Sequence, residues 1–180
     1  MNRRELFAAF AALGLAGAAA PVEAVADETN DARDLWLYGL AIIEMAAARD
    51  RQIKAGLKQN TLQHARQLSD HTSRWVTSPN NDTLYSIAWL DLTQGPVTFV
   101  APPTGDRYWS AALMDMYTNN NAVLGLRTTG NQGGTYSIVG PGQTGGGPGV
   151  IRCATPHAWL LIRTLTDGGD DLAATHAVQD

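Results

Sequence analysis

The hydrophobic period changes at residue 83, and that change limits what the chain can fold into. Over residues 84–92 two sets alternate: Tyr85, Ile87, Trp89 and Asp91 against Leu84, Ser86, Ala88, Leu90 and Leu92. A period of two marks a strand whose two faces meet different surroundings. Residues 96–101, 107–117, 122–127, 135–139 and 158–165 continue in the same style. Gly95-Pro96, Pro102-Pro103, Gly105-Asp106, Thr129-Gly130 and Gly140-Pro141 punctuate them. Short strands with regular turn signals predict an antiparallel β-sandwich or barrel, Ig-like or jelly-roll-like in style. Helical stretches between these strands are missing, which argues against a parallel α/β sheet.

Ahead of residue 83 the period is closer to 3.6. Leu35, Tyr38, Ile42, Met45 and Ala46 recur at three- and four-residue steps, which predicts one amphipathic helix over about residues 31–55. Asn30 or Asp31 suits its N-cap and Gly56 its stop. Residues 57–78 are polar, and only a short helix at 62–68 is expected there. Nine of the 18 glycines fall within residues 130–149, which predicts a surface loop at 145–149. A short helix is expected over 170–179, ending the chain without a capping glycine.

The first 26 residues carry a different signal. Arg3-Arg4 precedes an uncharged stretch over residues 6–20, and Ala24-Val25-Ala26 follows. A basic start, a short apolar core and an A-x-A site together predict a secretory leader cut after Ala26, by the general or the twin-arginine route. Fifteen apolar residues at 1.5 Å each reach only about 22 Å, short of the roughly 30 Å hydrocarbon core. The expectation is an exported, periplasmic protein: residues 1–26 a signal peptide, residues 27–180 a single β-sandwich domain, and no transmembrane span after cleavage.

Charge and cysteine content narrow the functional classes. A net charge of -4 lacks the basic face that nucleic-acid phosphates require. One cysteine, Cys153, leaves no internal disulfide framework and no thiolate cluster, and reads as a small buried hydrophobe. His64, His71, His157 and His176 show no zinc spacing. Gly140 to Gly145 fits G-x-G-x-x-G, but Gly146-Gly147-Pro148 forbids the helix a dinucleotide site needs. No metal and no cofactor are expected.

Two polar clusters stand at strand ends. The first runs from Ser78 through Asn81, Asp82 and Tyr85; the second runs from Asp115 through Tyr117 to Asn121, on a strand that Arg107 and Tyr108 open. Asn and Asp shape turns through their own side chains, so a structural reading stands beside a functional one. On the functional reading, Asn81, Asp82, Tyr85, Arg107, Tyr108, Asp115 and Tyr117 bind a ligand where the two loops meet at one end of the sandwich. Trp89 and Ile87 from one strand, with Trp109 and Leu113 from the other, then make an apolar floor between two tyrosines.

Ser78-Pro79-Asn80-Asn81-Asp82-Thr83-Leu84-Tyr85-Ser86 and Trp89-Leu90-Asp91-Leu92-Thr93-Gln94-Gly95-Pro96-Val97 resemble the signature of the bacterial family catalogued as the domain of unknown function numbered 1254. Gly105-Asp106-Arg107-Tyr108, Asp115, the run Leu124 to Gly130, Val139 to Gly142, Thr155-Pro156, Arg163-Thr164-Leu165 and Asp167-Gly168 fit as well, so the resemblance runs from about Leu35 to Asp180. Ser78 departs from the basic residue frequent in the family. The resemblance implies a β-sandwich with helical additions. It also implies a companion protein or domain resembling the domain of unknown function numbered 1214, which follows this one in longer relatives.

Three functions follow as expectations. The first is an envelope-associated module that binds a small ligand or a partner domain. The second is a hydrolase with Asp82 or Asp115 as general base and Tyr85 or Arg107 stabilising an oxyanion. The third is a purely structural interaction protein.

Overall fold

The computed structural model describes residues 22–74 and 78–180, with the side chains of residues 22–29 left aside. The leader expected over residues 1–26 therefore lies, as far as residue 21, outside the described residues. Helix α1 (Val22–Lys54) begins well ahead of Asp31. The chain divides into two compact units, residues 1–40 and 41–180, with the boundary inside α1.

In the first unit the described backbone is helical, and Leu35 and Tyr38 are exposed. Within the second unit the predicted stripe packs at Ile42, Met45 and Ala46.

In the second unit α1 ends in a Schellman motif. Gly56 takes φ +103°, its N–H donates to the Ile53 carbonyl, and the Leu57 N–H donates to the Gln52 carbonyl. Those bonds satisfy carbonyls that a helix end otherwise leaves open, while Leu57 buries itself against the last turns.

Among the described residues eight strands follow: β1 (Gln63–His64), β2 (Thr83–Asp91), β3 (Val97–Ala101), β4 (Trp109–Asp115), β5 (Asn120–Gly125), β6 (Gly134–Val139), β7 (Val150–Arg152) and β8 (His157–Leu165). They form a five-stranded sheet in the order β1-β2-β8-β4-β5 and a three-stranded sheet in the order β3-β6-β7. The protein is mainly antiparallel β, with a long N-terminal helix and a short C-terminal one, as the period-two pattern requires.

Three elements differ from expectation. The helix expected at 62–68 is instead strand β1, in which Gln63 pairs with Ile87 and His64 with Ser86. Cross-strand partners decide the conformation of so polar a stretch, not its own propensity. Strand β7 went unforeseen; it runs parallel to β6, reached through the glycine-rich loop. Gly149, at φ +82°, is required there, because a Cβ would come within 2.6 Å of the Thr135 carbonyl oxygen. The C-terminal helix opens as a 3-10 turn (Gly169–Asp171) and continues as α2 (Leu172–Gln179).

Alternation divides the apolar residues of the large sheet between its two faces. Ala88, Leu90, Trp109, Ala111, Leu113, Ala158, Leu160 and Ile162 join Phe99, Ala101, Ile138 and Cys153 in the main core. Phe99, Ala101 and Ile138 belong to the small sheet, so this core lies between the sheets. On the opposite face Trp89 and Met116 pack with Met45 and Leu57, flanked by Ile42, Ala46, Ile87 and Trp159. The second face is therefore covered by the last turns of α1.

Candidate functional site

Strand β2 presents Tyr85, Ile87 and Trp89 to the helix side, since Ile87 and Trp89 pack with Met45 while Ala88 and Leu90 enter the main core. The antiparallel register sets each beside one residue of β8: Tyr85 opposite Arg163, Ile87 opposite Leu161, and Trp89 opposite Trp159. Directly opposed side chains on one face of a sheet touch. The three pairs form a ladder about 13 Å long, at 3.3 Å per residue. Its charged end is Arg163 and its aromatic end is the tryptophan pair.

Trp89 and Trp159 stack with ring centroids 5.6 Å apart and planes 17° from parallel. Trp89 is 1% exposed, and its indole N–H donates to Gln52 Oε1 at 2.9 Å, fastening the sheet to α1. The Trp159 indole nitrogen is buried without an acceptor among the described residues.

A cavity of about 540 Å³ opens along this ladder. Ile87, Trp159 and Leu161 supply apolar wall; Gln52 lies on the helix side, Gln63, His64 and Ala65 on the β1 side, and Ser78 and Asn80 on the loop entering β2. Tyr85 and Arg163 stand together on its wall, the guanidinium carbon 5.5 Å from the ring centroid. This volume lies within the range of ordinary small-molecule sites, about 300–1,000 Å³.

The cavity is polar in places but carries little charge. His64 Nδ1 lies 2.7 Å from Ser86 Oγ. Partial burial, and then the positive charge of Arg66, lower the His64 pKa, so the neutral ring is favoured at neutral pH. Asp180 acts on His64 in the opposite sense but is itself ion-paired with Arg66. No carboxylate lines the cavity among the described residues.

Of the site residues expected from sequence, Tyr85 alone lines this cavity. Asn81 and Asp82 are exposed. The turn beside them is organised by Asn80, whose Oδ1 accepts the amide hydrogens of Asp82 and Thr83 at 2.7 and 3.0 Å. Arg107 anchors the C-terminal helix: its Nη2 donates to Asp171 Oδ1 at 2.7 Å, and its Nη1 donates to Asp171 Oδ2, to the Leu165 carbonyl and to Thr175 Oγ1. Tyr108 lies under Arg127, whose guanidinium carbon is 5.6 Å from the ring centroid.

Asp115 is 2% exposed and holds the β4–β5 turn. Its Oδ1 accepts the amides of Tyr117 and Asn119 at 2.9 and 3.0 Å, and its Oδ2 accepts from Asn121 Nδ2 at 3.0 Å. Burial opposes its ionisation, but the bonds from Asn121, Asn119 and Tyr117 prevail and hold its pKa below the usual carboxylate value. Tyr117 belongs to the same turn.

The expected meeting of the two loops does not occur. Strands β2 and β4 both run antiparallel to β8, so they point the same way. Tyr85 shares the level of Arg163 and Ser110, whereas Asp115 shares that of Ala158 and Leu90. Five residues separate those levels, about 17 Å along the sheet. The expected floor divides too: Trp89 and Ile87 face α1, while Trp109 and Leu113 face the small sheet. Asp82 and Asp115 therefore form no acid–base pair.

Sequence reasoning missed Gln52, His64, Trp159, Leu161 and Arg163 as members of one site. Alternation along β8 places Trp159, Leu161 and Arg163 on one face, but only the β2–β8 pairing brings Tyr85 beside them.

This is a mainly β domain of two sheets, with a helix-covered cavity on the outer face of the larger one. The chain belongs to the family described as Protein of unknown function (DUF1254), whose model matches residues 59–180. The matched span starts later than the resemblance read from about Leu35. The fold is also similar to the crystal structure of the VPA0106 protein from Vibrio parahaemolyticus, at 26% sequence identity and a TM-score of 0.66. That likeness covers 82% of this chain and 35% of the Vibrio chain, so the present sequence spans about a third of its neighbour. No curated protein matches the chain.

Proposed function

We propose that the domain is a binding module for a small ligand with an apolar body, held on the Tyr85–Arg163, Ile87–Leu161 and Trp89–Trp159 ladder. The observation that carries this reading is the cavity of about 540 Å³, in which Tyr85, Ile87, Trp159 and Leu161 make an apolar wall and Gln52, Gln63, His64, Ser78, Asn80 and Arg163 place polar groups around it. That combination is characteristic of small-molecule sites. The stacked tryptophans and the Gln52 bond fix the wall in advance, which reduces the ordering cost of binding.

N-Phenyl-1-naphthylamine, a neutral dye that brightens in apolar surroundings, tests it. The dye should bind the wild type saturably. Ala65→Phe adds volume at an exposed position on the cavity wall and should weaken binding without lowering Tm. Absence of saturable binding, or binding unchanged in both Ala65→Phe and Leu161→Gln, contradicts the assignment.

Export and the companion belong to the same proposal. Arg3-Arg4, the apolar stretch over residues 6–20 and Ala24-Val25-Ala26 support export. Among the described residues no helix is long and apolar enough to cross a membrane. Mass spectrometry of periplasmic protein should find Asp27 at the N-terminus; intact Met1 in a cytoplasmic fraction contradicts it. The companion resembling the domain of unknown function 1214 is supported by the greater length of the Vibrio neighbour. It should co-purify with this chain when the two are expressed together, and separate elution of the two contradicts the pairing.

A further inference from the structure

We propose that the cavity selects small monoanions, carboxylates or sulfonates carried on an apolar body, with Arg163 as the residue that meets the anionic group. This rests on the ligand-binding reading above and names the chemistry of its ligand.

Three observations lead there. The first concerns Arg163 itself. Among the described residues its guanidinium meets the Tyr85 ring and has no carboxylate partner. Arg107, by contrast, is fully engaged by Asp171, Thr175 and the Leu165 carbonyl. The Tyr85 ring holds the Arg163 cation without consuming its N–H donors, which form a fork suited to a carboxylate or sulfonate.

The second concerns the surrounding charge. Among the described residues no Asp or Glu lines the cavity to attract a cation or repel an anion. Asp180, which acts on neighbouring His64, is already paired with Arg66. Arg163 is exposed, so its hold on an anion comes from direct charge-assisted N–H contacts, not from a dry field.

The third concerns geometry. Arg163 stands at one end of the ladder, and Leu161, Ile87 and Trp159 extend away from it on the same face. A ligand that bonds Arg163 can therefore lay its apolar portion along the sheet for about 13 Å. A neutral ligand would leave the guanidinium unpaired. One guanidinium fork matches one carboxylate or sulfonate.

A matched pair of dyes separates this inference from the one it rests on. 8-Anilino-1-naphthalenesulfonate and N-phenyl-1-naphthylamine share a ring body and differ in the sulfonate. Wild type should bind the anionic dye more tightly. Arg163→Gln should weaken the anionic dye about tenfold, the worth of one charge-assisted contact, and leave the neutral dye within a factor of two. Arg163→Lys should retain part of the preference. Decanoate should displace the anionic dye at lower concentration than decanol if an alkyl body suffices, and 2-naphthoate should do so ahead of 2-naphthamide if an aromatic one is taken; either pattern supports the monoanion. Equal weakening of both dyes by Arg163→Gln, or no weakening of either, overturns the selectivity while the cavity assignment stands. Failure of both dyes to bind wild type overturns the cavity assignment itself.

Discussion

Tyr85 and Arg163 face each other across the β2–β8 pair at one end of the large sheet, the guanidinium carbon 5.5 Å from the ring centroid. Asp115, which sequence placed beside Tyr85, lies about 17 Å along the same sheet. That arrangement assigns ligand contact and turn architecture to different residues, and the assignments can be tested separately.

Asp115→Asn keeps volume but puts an amide where Tyr117, Asn119 and Asn121 all donate. At least one part-buried donor then loses its acceptor, at a cost of about 1–2 kcal/mol. Chemical denaturation should show that loss, with N-phenyl-1-naphthylamine affinity unchanged. Unchanged stability with lost binding would return Asp115 to the site.

Arg107 and Asp171 couple the start of β4 to the C-terminal helix, and the coupling has a pH signature. The bond from Arg107 is the largest influence on Asp171, followed by the Asp167 amide, and together they hold its pKa far below the ordinary 3.8. A carboxylate with a depressed folded-state pKa contributes stability that is complete above its unfolded pKa and lost as pH falls below it. Wild-type Tm should therefore fall more steeply than that of Arg107→Ala as pH drops from about 4 towards the depressed folded pKa, although the variant melts lower at pH 7. Parallel curves would contradict the role given to this pair.

Trp89 joins the sheet to α1 through Met45 and the Gln52 bond, and packs with Leu57 just beyond the helix. Trp89→Ala leaves a cavity in that face and should cost about 3–5 kcal/mol. Thermal melts followed by helical circular dichroism would register it.

Gly125 takes φ +145°, and a Cβ there would come within 2.4 Å of the Trp109 carbonyl oxygen. Gly125→Ala should destabilise by more than about 1 kcal/mol, since both the backbone angle and the space are refused. A neutral result would mean that β4 and β5 can separate locally at little cost.

The fold was largely legible because side-chain alternation at Leu84–Leu92 and Ala158–Leu165 reports directly on which faces are buried. The site was legible only in part. Tyr85 was visible as the residue ending a polar loop, but its neighbour Arg163 lies 78 positions later and is brought beside it by strand order, which local pattern does not encode. The same ignorance of order produced the mistaken cleft: nothing in the residues of β2 and β4 states that both run antiparallel to β8. Strand β1 was missed for a related reason, since Gln63 and His64 are held extended by Ile87 and Ser86, not by their own preferences.

The indole N–H signals in a ¹H–¹⁵N spectrum, recorded as N-phenyl-1-naphthylamine is titrated in, test the central claim most directly. Trp159 lines the cavity and stacks on Trp89, while Trp109 faces the other side of the sheet and donates to the Gly130 carbonyl. Ligand on the helix-covered face should shift the Trp159 and Trp89 signals and leave Trp109 in place. Movement of Trp109 with Trp159 and Trp89 unmoved would put the site on the wrong face of the sheet.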